Sequence, residues 1–325
     1  MNRNTLRYFI AIVEEGSMRA AAEVLHISQS ALSRQIINLE EEIGAPLLER
    51  QPRGISLTSA GQLFLRYARE GISQFELVKS EVTALQGLHR GTVRVAAPES
   101  FMNMVLPDCI RTFRHQYPGV NTVVRIGTTN GVVEDVKDGA VDFGLAYNPE
   151  LDTDMKISYS LPERIVAVMP YSHPLASREQ LSISDLVDIP LALPLPQSAT
   201  GDLIFRTARR SGVKLRAALE SNSVQIRLNM AVHADLIALL AHISAADAIR
   251  SGAVKALPFR ERSLNQGRIT MFSLPGRRLS VAADAFQRLV HRELQSVRFR
   301  ANTLGGLPHT GIEALAKPIA EKVDR

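Results

Sequence analysis

The sequence predicts an α/β protein that opens with an all-α winged helix-turn-helix, continues through one long linker helix, and ends in a two-lobed α/β domain. Three observations carry that prediction. Three helical patterns near the N-terminus are separated by very short turns. A heptad of apolar residues persists from Phe64 to Leu85. From Gly91 onward, strand patterns alternate with helix patterns, which implies parallel sheets with helices on their faces.

Composition narrows the class. Of 325 residues, 45% are hydrophobic and 22% charged, which excludes a collagen-like, mucin-like or wholly disordered chain. No stretch approaches the roughly 18 apolar residues that a membrane helix needs. The apolar run Leu6–Val13 is short and ends at Glu14-Glu15, unlike a signal sequence. The expected compartment is the cytoplasm, with no membrane partner. The single cysteine, Cys109, excludes an internal disulfide and a cysteine-rich zinc site. The eight histidines are scattered without HExxH spacing, so neither a metal nor a cofactor is expected. The net charge is +5, yet residues 1–60 hold six arginines, no lysine and seven carboxylates. Global charge therefore says little about partners, and individual arginines must decide.

The first helix follows from Leu6, Phe9, Ile10 and Val13 at i, i+3, i+4, i+7, and Gly16 stops it. Ser17 is placed to cap a second helix, Met18–Leu25, whose alanines 20–22 permit close packing. Only His26-Ile27 precedes Ser28, the expected cap of a third helix that runs to Ile43 and stops at Gly44. Two helices joined by so short a turn form a helix-turn-helix. Gln51-Pro52-Arg53-Gly54 then makes a turn into the extended piece Ile55-Ser56-Leu57, a wing.

Thr58 can cap a fourth helix reaching about Gln86. Its residues Phe64, Ala68, Gly71, Phe75, Val78, Val82 and Leu85 form a heptad seam expected to pair two copies of the chain. Beyond Gly87, strands are expected at Thr92–Ala97, Asn121–Ile126 and Val141–Ala146, with helices Met102–Gln116 and Val132–Asp138 between them. A second set starts at Ile165–Met169, continues through Pro190–Leu193, Leu203–Ser211, Leu215–Glu220, Val224–Val232 and Ile237–Leu240, and ends at Val254–Leu257. The strand Arg268–Leu274 and the helix Val281–Arg298 close the domain. The expected boundaries are 1–58 for the headpiece, 59–90 for the linker helix and 91–300 for the two-lobed domain. Lobe I takes 91–163 and 268–300, lobe II takes 164–267, and 301–325 is a tail.

The third helix carries the chemistry. Leu32, Ile36, Leu39 and Ile43 share one face, while Gln29, Ser30, Ser33, Arg34 and Ile37 occupy an adjoining arc near its N-terminal end. Short polar side chains plus one arginine suit base edges in a major groove, where Gln pairs with adenine and Arg with guanine. A solvated face on an ordinary helical hairpin would look the same, and periodicity leaves both readings open.

The run Leu6-Arg7-Tyr8-Phe9, Gly16-Ser17, Ala20-Ala21-Ala22, Leu25, Ser28-Gln29-Ser30-Ala31-Leu32-Ser33-Arg34-Gln35-Ile36, Leu39-Glu40, Gly44, Leu47, Arg50 and Leu57-Thr58-Ser59-Ala60-Gly61 resembles, in order and spacing, the N-terminal domain of LysR-type transcriptional regulators. The segment from Gly91 to about Val297, with His173-Pro174-Leu175-Ala176, is similar to that family's regulatory domain, of the periplasmic-binding-protein kind. The resemblance implies that Gln29, Ser30, Ser33 and Arg34 face the major groove, and that Arg50 and Arg53 lie near phosphates or the minor groove. Arg50 can instead pair with Glu49 or Glu42. It further implies double-stranded DNA carrying an interrupted palindrome as partner, a homodimer or homotetramer, RNA polymerase as a possible contact, and a small-molecule effector. Two departures stand out. Leu48 replaces a common Phe, and Ala234-Asp235-Leu236 replaces a Gly-x-Gly, leaving His233 and Asp235 as either pocket features or exposed turn residues.

Strand ends and helix N-termini collect ligand groups in such domains. The loops Pro98–Phe101, Thr128–Asn130 and Gln197–Gly201 qualify, which nominates Ser100, Phe101, Thr128, Thr129, Asn130, Ser198 and Thr200 for a small polar or anionic metabolite. Helix capping by Ser100, Asn130 and Thr200 is the alternative, and Glu99 would oppose a carboxylate if it points inward. No catalytic residue is expected: the sequence has no P-loop, no GxSxG and no GxGxxG after a strand. Other readings are a cytoplasmic small-molecule-binding protein without sequence-specific DNA recognition, and a nucleoid-type DNA binder, which the net-acidic headpiece disfavours.

Overall fold

A computed structural model describes residues 3–51, 54–85, 91–102, 105–153 and 155–304. The headpiece comprises α1 (Arg3–Glu15), α2 (Met18–Leu25), α3 (Gln29–Ile43), the wing strands β1 (Leu48–Gln51) and β2 (Gly54–Leu57), and α4 (Ser59–Leu85). The local signals act as read. Ser17 and Ser28 accept from the backbone N–H groups of Ala20 and Ala31, and Gly44 closes α3 in the left-handed conformation. Thr58 accepts from Gly61 N–H at 2.9 Å and donates to the Pro46 carbonyl at 2.8 Å, which fixes where α4 starts. Gly61 must be glycine there, since a Cβ would sit 2.0 Å from the Leu47 carbonyl oxygen.

Phe9, Ile12, Leu32, Leu39, Leu47 and Phe64 form the centre of the headpiece core, and Phe9 meets Phe64 edge-on with ring centroids 5.0 Å apart. Ile12 is buried, whereas Ile10 and Val13 flank it half-buried. The first half of the α4 seam is therefore internal. Phe64 and Ala68 are buried in the headpiece, and Gly71 lies against Leu6, which corrects the expectation that Phe64 and Gly71 face a second copy. Phe75, Val78 and Val82 remain 47%, 56% and 49% exposed, with the Arg3 guanidinium 4.1 Å from the centre of the Phe75 ring. The side chain of Leu85 lies outside the described residues.

The remaining chain builds two five-stranded sheets. Lobe I contains β3 (Gly91–Ala97), α5 (Val105–Gln116), β4 (Val120–Ile126), α6 (Thr129–Lys137), β5 (Phe143–Tyr147) and β6 (Lys156–Glu163). Lobe II follows with β7 (Ile165–Met169), β8 (Pro190–Leu193), α7 (Ala199–Arg210), β9 (Arg216–Glu220), α8 (Val224–His233), β10 (Ile237–Ala241), α9 (Ala246–Arg250) and β11 (Lys255–Pro258). The chain returns through α10 (Arg262–Asn265) to β12 (Gly267–Ser273) and ends in α11 (Val281–Leu304). The strand orders are β4-β3-β5-β12-β6 and β11-β7-β10-β8-β9.

Four expectations need correction. The sheets are mixed rather than parallel, because β12 runs antiparallel to β5 and β6, and β7 antiparallel to β10 and β11. Strand β6 is missing from the expected elements: Ile157, Tyr159 and Leu161 do alternate with Lys156, Ser158 and Ser160, but Pro162 interrupts the run before β7. The closing helix runs on to Leu304, past the expected tail boundary at 301. The one-turn helix Glu99–Phe101 also precedes α5, so that helix starts later than Met102.

The chain crosses between the lobes twice, through Arg164 alone on the way out and through residues 259–266 on the way back. In lobe I, Phe113 and Phe143 both pack against Phe286 of α11. Beside that core, buried Arg277 donates to the carbonyls of Gly139 and Val141 and to Asp142 Oδ1 at 2.9 Å, while Asp142 Oδ2 accepts from Arg94 N–H at 2.7 Å.

Candidate nucleic-acid interface and ligand cleft

The exposed edge of α3 begins at its cap. Ser28 lies 3.2 Å from the Ser30 hydroxyl, so two hydroxyls bracket the helix start. Gln29, Ser30 and Arg34 are exposed, Ser33 is half-buried, and Ile37 is 49% exposed. Leu32, Ile36 and Leu39 anchor the opposite face in the core. Among the described residues Arg34 has no hydrogen-bond or ion-pair partner, whereas Arg19 is tied to Glu23 at 3.1 Å. The first guanidinium is free to meet an external acceptor; the second is engaged.

The wing is held rigidly beside this face. Glu40 accepts from Leu47 N–H at 2.7 Å and Leu48 N–H at 3.1 Å, joining the end of α3 to β1. Ile55 N–H donates to the Gly16 carbonyl at 3.0 Å, joining β2 to the turn between α1 and α2. Gly54, with φ of 135°, permits that approach, because a Cβ would lie 2.8 Å from the Gly16 oxygen. Arg50 pairs with Ile55 across the wing; its side chain and the whole of Arg53 lie outside the described residues.

In the two-lobed domain, the nominated loops follow strand ends. Strands β3 and β4 are parallel neighbours, so Ser100 and Thr128–Asn130 share one edge of lobe I. Strands β8 and β9 are parallel neighbours as well, placing Ser198 and Thr200 on the same edge of lobe II as Ser223. Thr128 caps α6 by accepting from Gly131 N–H at 3.2 Å, and Ser198 caps α7 by accepting from Gly201 N–H at 3.1 Å. Thr129, Thr200 and Ser100 are half-buried, and Asn130 is exposed. Phe101 does not line a cleft: it is 1% exposed and belongs to the shared hydrophobic core, which corrects its nomination.

Sequence reasoning missed the contact that joins the lobes here. Glu99 points across from lobe I and accepts from Ser223 Oγ at 3.0 Å and from Val224 N–H at 2.7 Å, at the start of α8. One turn into that helix, Arg227 is buried and donates to the Leu239 carbonyl at 2.9 Å. Burial pushes its pKa down to about 10, with the Glu99 charge opposing. The two partners, Glu99 and Ser223, lie 124 residues apart in the chain, a separation that no local pattern encodes.

The outward crossing holds a second polar cluster. Glu163 accepts from Arg164 N–H at 3.0 Å, and burial pushes its carboxyl up to about 7 despite backbone N–H groups of Arg164, Ile243 and His242. Burial also pushes His242 down to about 4, with Arg164 adding to the effect. The nearby Tyr147 hydroxyl is buried without a partner among the described residues.

Elsewhere, His233 is the exposed last residue of α8 and Asp235 an exposed residue of the turn that follows. Asp235 takes the left-handed conformation (φ of 53°), one that Asp tolerates better than most side chains. Burial pushes the Cys109 thiol up to about 12, so it is an inert core group. Among the described residues no cluster of His, Cys, Asp and Glu could hold a metal ion, and no helix is long and apolar enough to cross a membrane. An open hollow of about 730 Å³ lies between α8 and α9, lined by Leu228, Asn229, Asp247 and Arg250 among others; none of the nominated ligand residues reaches it.

Comparison with known proteins agrees with this layout. Residues 3–62 match the family described as bacterial regulatory helix-turn-helix protein, lysR family, and residues 86–295 match the LysR substrate binding domain. The chain is 30% identical over 225 residues to the HTH-type transcriptional regulator CysL of Bacillus subtilis, covering 69% of this chain and 75% of that one. It is 35% identical over 187 residues to the transcriptional dual regulator GltC of the same organism, covering 57% and 62%. In fold it is similar to a variant of full-length OxyR from Pseudomonas aeruginosa, with a TM-score of 0.69 at 20% identity, covering 92% and 95%.

Proposed function

The chain belongs to the LysR family of bacterial helix-turn-helix regulators, and from that premise we propose that it binds an interrupted palindrome in its target promoters and answers to a small metabolite. As a member it is a DNA-binding transcriptional regulator with an effector-binding domain, not an enzyme. The observation that carries the DNA reading is the edge of α3, where exposed Gln29, Ser30, unpaired Arg34 and Ile37 stand beside a pinned wing. Arg34 suits a guanine edge, Gln29 an adenine edge, and Ile37 a thymine methyl.

A net-acidic headpiece binds weakly alone, so two or four copies on linked half-sites supply the affinity. The exposed stretch Phe75, Val78 and Val82 of α4 is the surface through which two copies pair. The effector is a small polar or anionic molecule, held by Ser100 and Thr128 or Thr129 from lobe I and by Ser198 or Thr200 from lobe II. Hydroxyls suit that task because each donates or accepts, and the N-termini of α6 and α7 add partial positive charge. Binding across the cleft favours one lobe arrangement, and that differential affinity changes how the paired headpieces are held. The protein works in the cytoplasm, where RNA polymerase is within its reach.

The test is selection of genomic fragments by the purified full chain, followed by footprinting of the retained sites. A shared interrupted palindrome protected over both half-sites is expected. Retention without a common sequence would contradict the reading.

A further inference from the structure

Resting on the regulator reading above, we propose that Glu99 is a tethered occupant of an anion site at the start of α8, and that the effector is a compact carboxylate that takes its place. The site is built by lobe II and filled by lobe I. Ser223 Oγ–H and Val224 N–H both donate to the Glu99 carboxylate, at 3.0 and 2.7 Å. Ser223 is also the cap of the helix, accepting from Ile226 N–H at 3.3 Å, so its hydroxyl is held in place whichever anion it serves. The ten-residue α8 directs the positive end of its dipole at the same point.

Arg227 supplies the second and independent sign of an anion seat. It is 4% exposed, its Nε has no partner among the described residues, and Glu99 is the charge it feels most strongly. A buried guanidinium with an unused donor behind a helix N-terminus is costly unless negative charge sits in front of it. Glu99 provides that charge from the other lobe. The pairing therefore draws the lobes together in the absence of any ligand.

A free carboxylate meets the same two donors, Ser223 Oγ–H and Val224 N–H, without crossing the junction. When it binds, Glu99 gives up Ser223 and Val224 and its carboxylate passes to water, and the lobes lose the tie between them. The effect on the junction is opposite in sign to that of a neutral ligand clamped by hydroxyls alone. Ser100, next in the chain to Glu99, moves with the same one-turn helix, so the nominated hydroxyl and the displaced carboxylate respond together.

The experiment compares the full-length parent and Glu99→Ala by backbone hydrogen exchange over residues 223–227, in sodium acetate against sodium chloride at equal ionic strength. Loss of a charge-assisted pair should speed exchange at Val224 in the variant by about ten- to a hundredfold. Acetate should restore protection in the variant at concentrations well below those that act on the parent, where it must first displace the tethered Glu99. Glu99→Gln, which keeps the shape and loses the charge, should fall between the two. Unchanged exchange in Glu99→Ala would show that Glu99 holds nothing, and equal acetate effects on parent and variant would show that no seat was vacated. Either result overturns the proposal. Operator binding by the parent is measured in parallel. Its absence, with acetate rescue intact, would overturn the regulator reading and leave the seat standing.

Discussion

Arg69 of the linker helix and Asp138 of lobe I are joined: Arg69 Nη1 donates to the Asp138 carbonyl at 3.3 Å and lies 3.7 Å from its carboxylate. The same guanidinium stands 3.9 Å from Glu14 at the end of α1. One side chain, 11% exposed, thus touches the headpiece, the linker helix and the first lobe. Burial lowers its pKa while both carboxylates oppose the shift, so the charge is kept by its neighbours. Here the angle of the headpiece is tied to the domain that senses the ligand.

Arg69→Ala should therefore loosen the headpiece on the lobe. The expected cost is about 1–2 kcal/mol, as for one or two partly exposed polar contacts. In small-angle scattering the variant should show a larger radius of gyration than the parent. An unchanged scattering curve and an unchanged unfolding midpoint would remove Arg69 from this role.

Glu163 predicts a pH dependence with a definite sign. Its carboxyl titrates near 7 in the folded chain, above the roughly 4.3 of an unfolded one. Between those values the folded state keeps a proton that the unfolded state has lost. Stability from this group is then full below the lower value and declines as pH rises through the upper one. Glu163→Gln cannot ionise, so it should gain on the parent by at most about 1.4 kcal/mol per pH unit across that window. Urea unfolding at several pH values checks it; a constant difference between the two proteins would refute the assignment.

Pairing of two copies predicts that Phe75→Glu with Val82→Glu yields smaller particles in sedimentation and weaker operator binding. Burying each large apolar side chain is worth roughly 1.5–3 kcal/mol, so two charges there outweigh a typical seam. Phe64→Glu is a poor test, because Phe64 holds up the headpiece core against Phe9. Unchanged mass and affinity in the double variant would place the interface elsewhere.

Features set by neighbours in the chain were legible in the sequence. Ser17, Ser28 and Thr58 each cap the next helix through a backbone N–H three residues on, a relation that residue order alone encodes. Strand direction was not legible, because β12 and β7 run antiparallel owing to the two crossings between lobes. The heptad from Phe64 to Val82 has one period but two destinations, first the headpiece core and then solvent, and periodicity does not distinguish them. Phe101 sits in a nominated loop yet fills the core, since one-turn helices carry no readable face. Glu99 was read as a charge that tempers anion binding; its bond to Val224 joins segments that only the folded lobes bring together.

That α3 reads bases is tested most directly by the affinity of Arg34→Ala for the selected operator and for a scrambled duplex, at matched salt. If Arg34 meets a guanine edge, the variant should lose about 1–3 kcal/mol on the operator, little on the scrambled duplex, and its preference at that base pair. Unchanged operator affinity and unchanged base preference would contradict the placement of this face in the major groove.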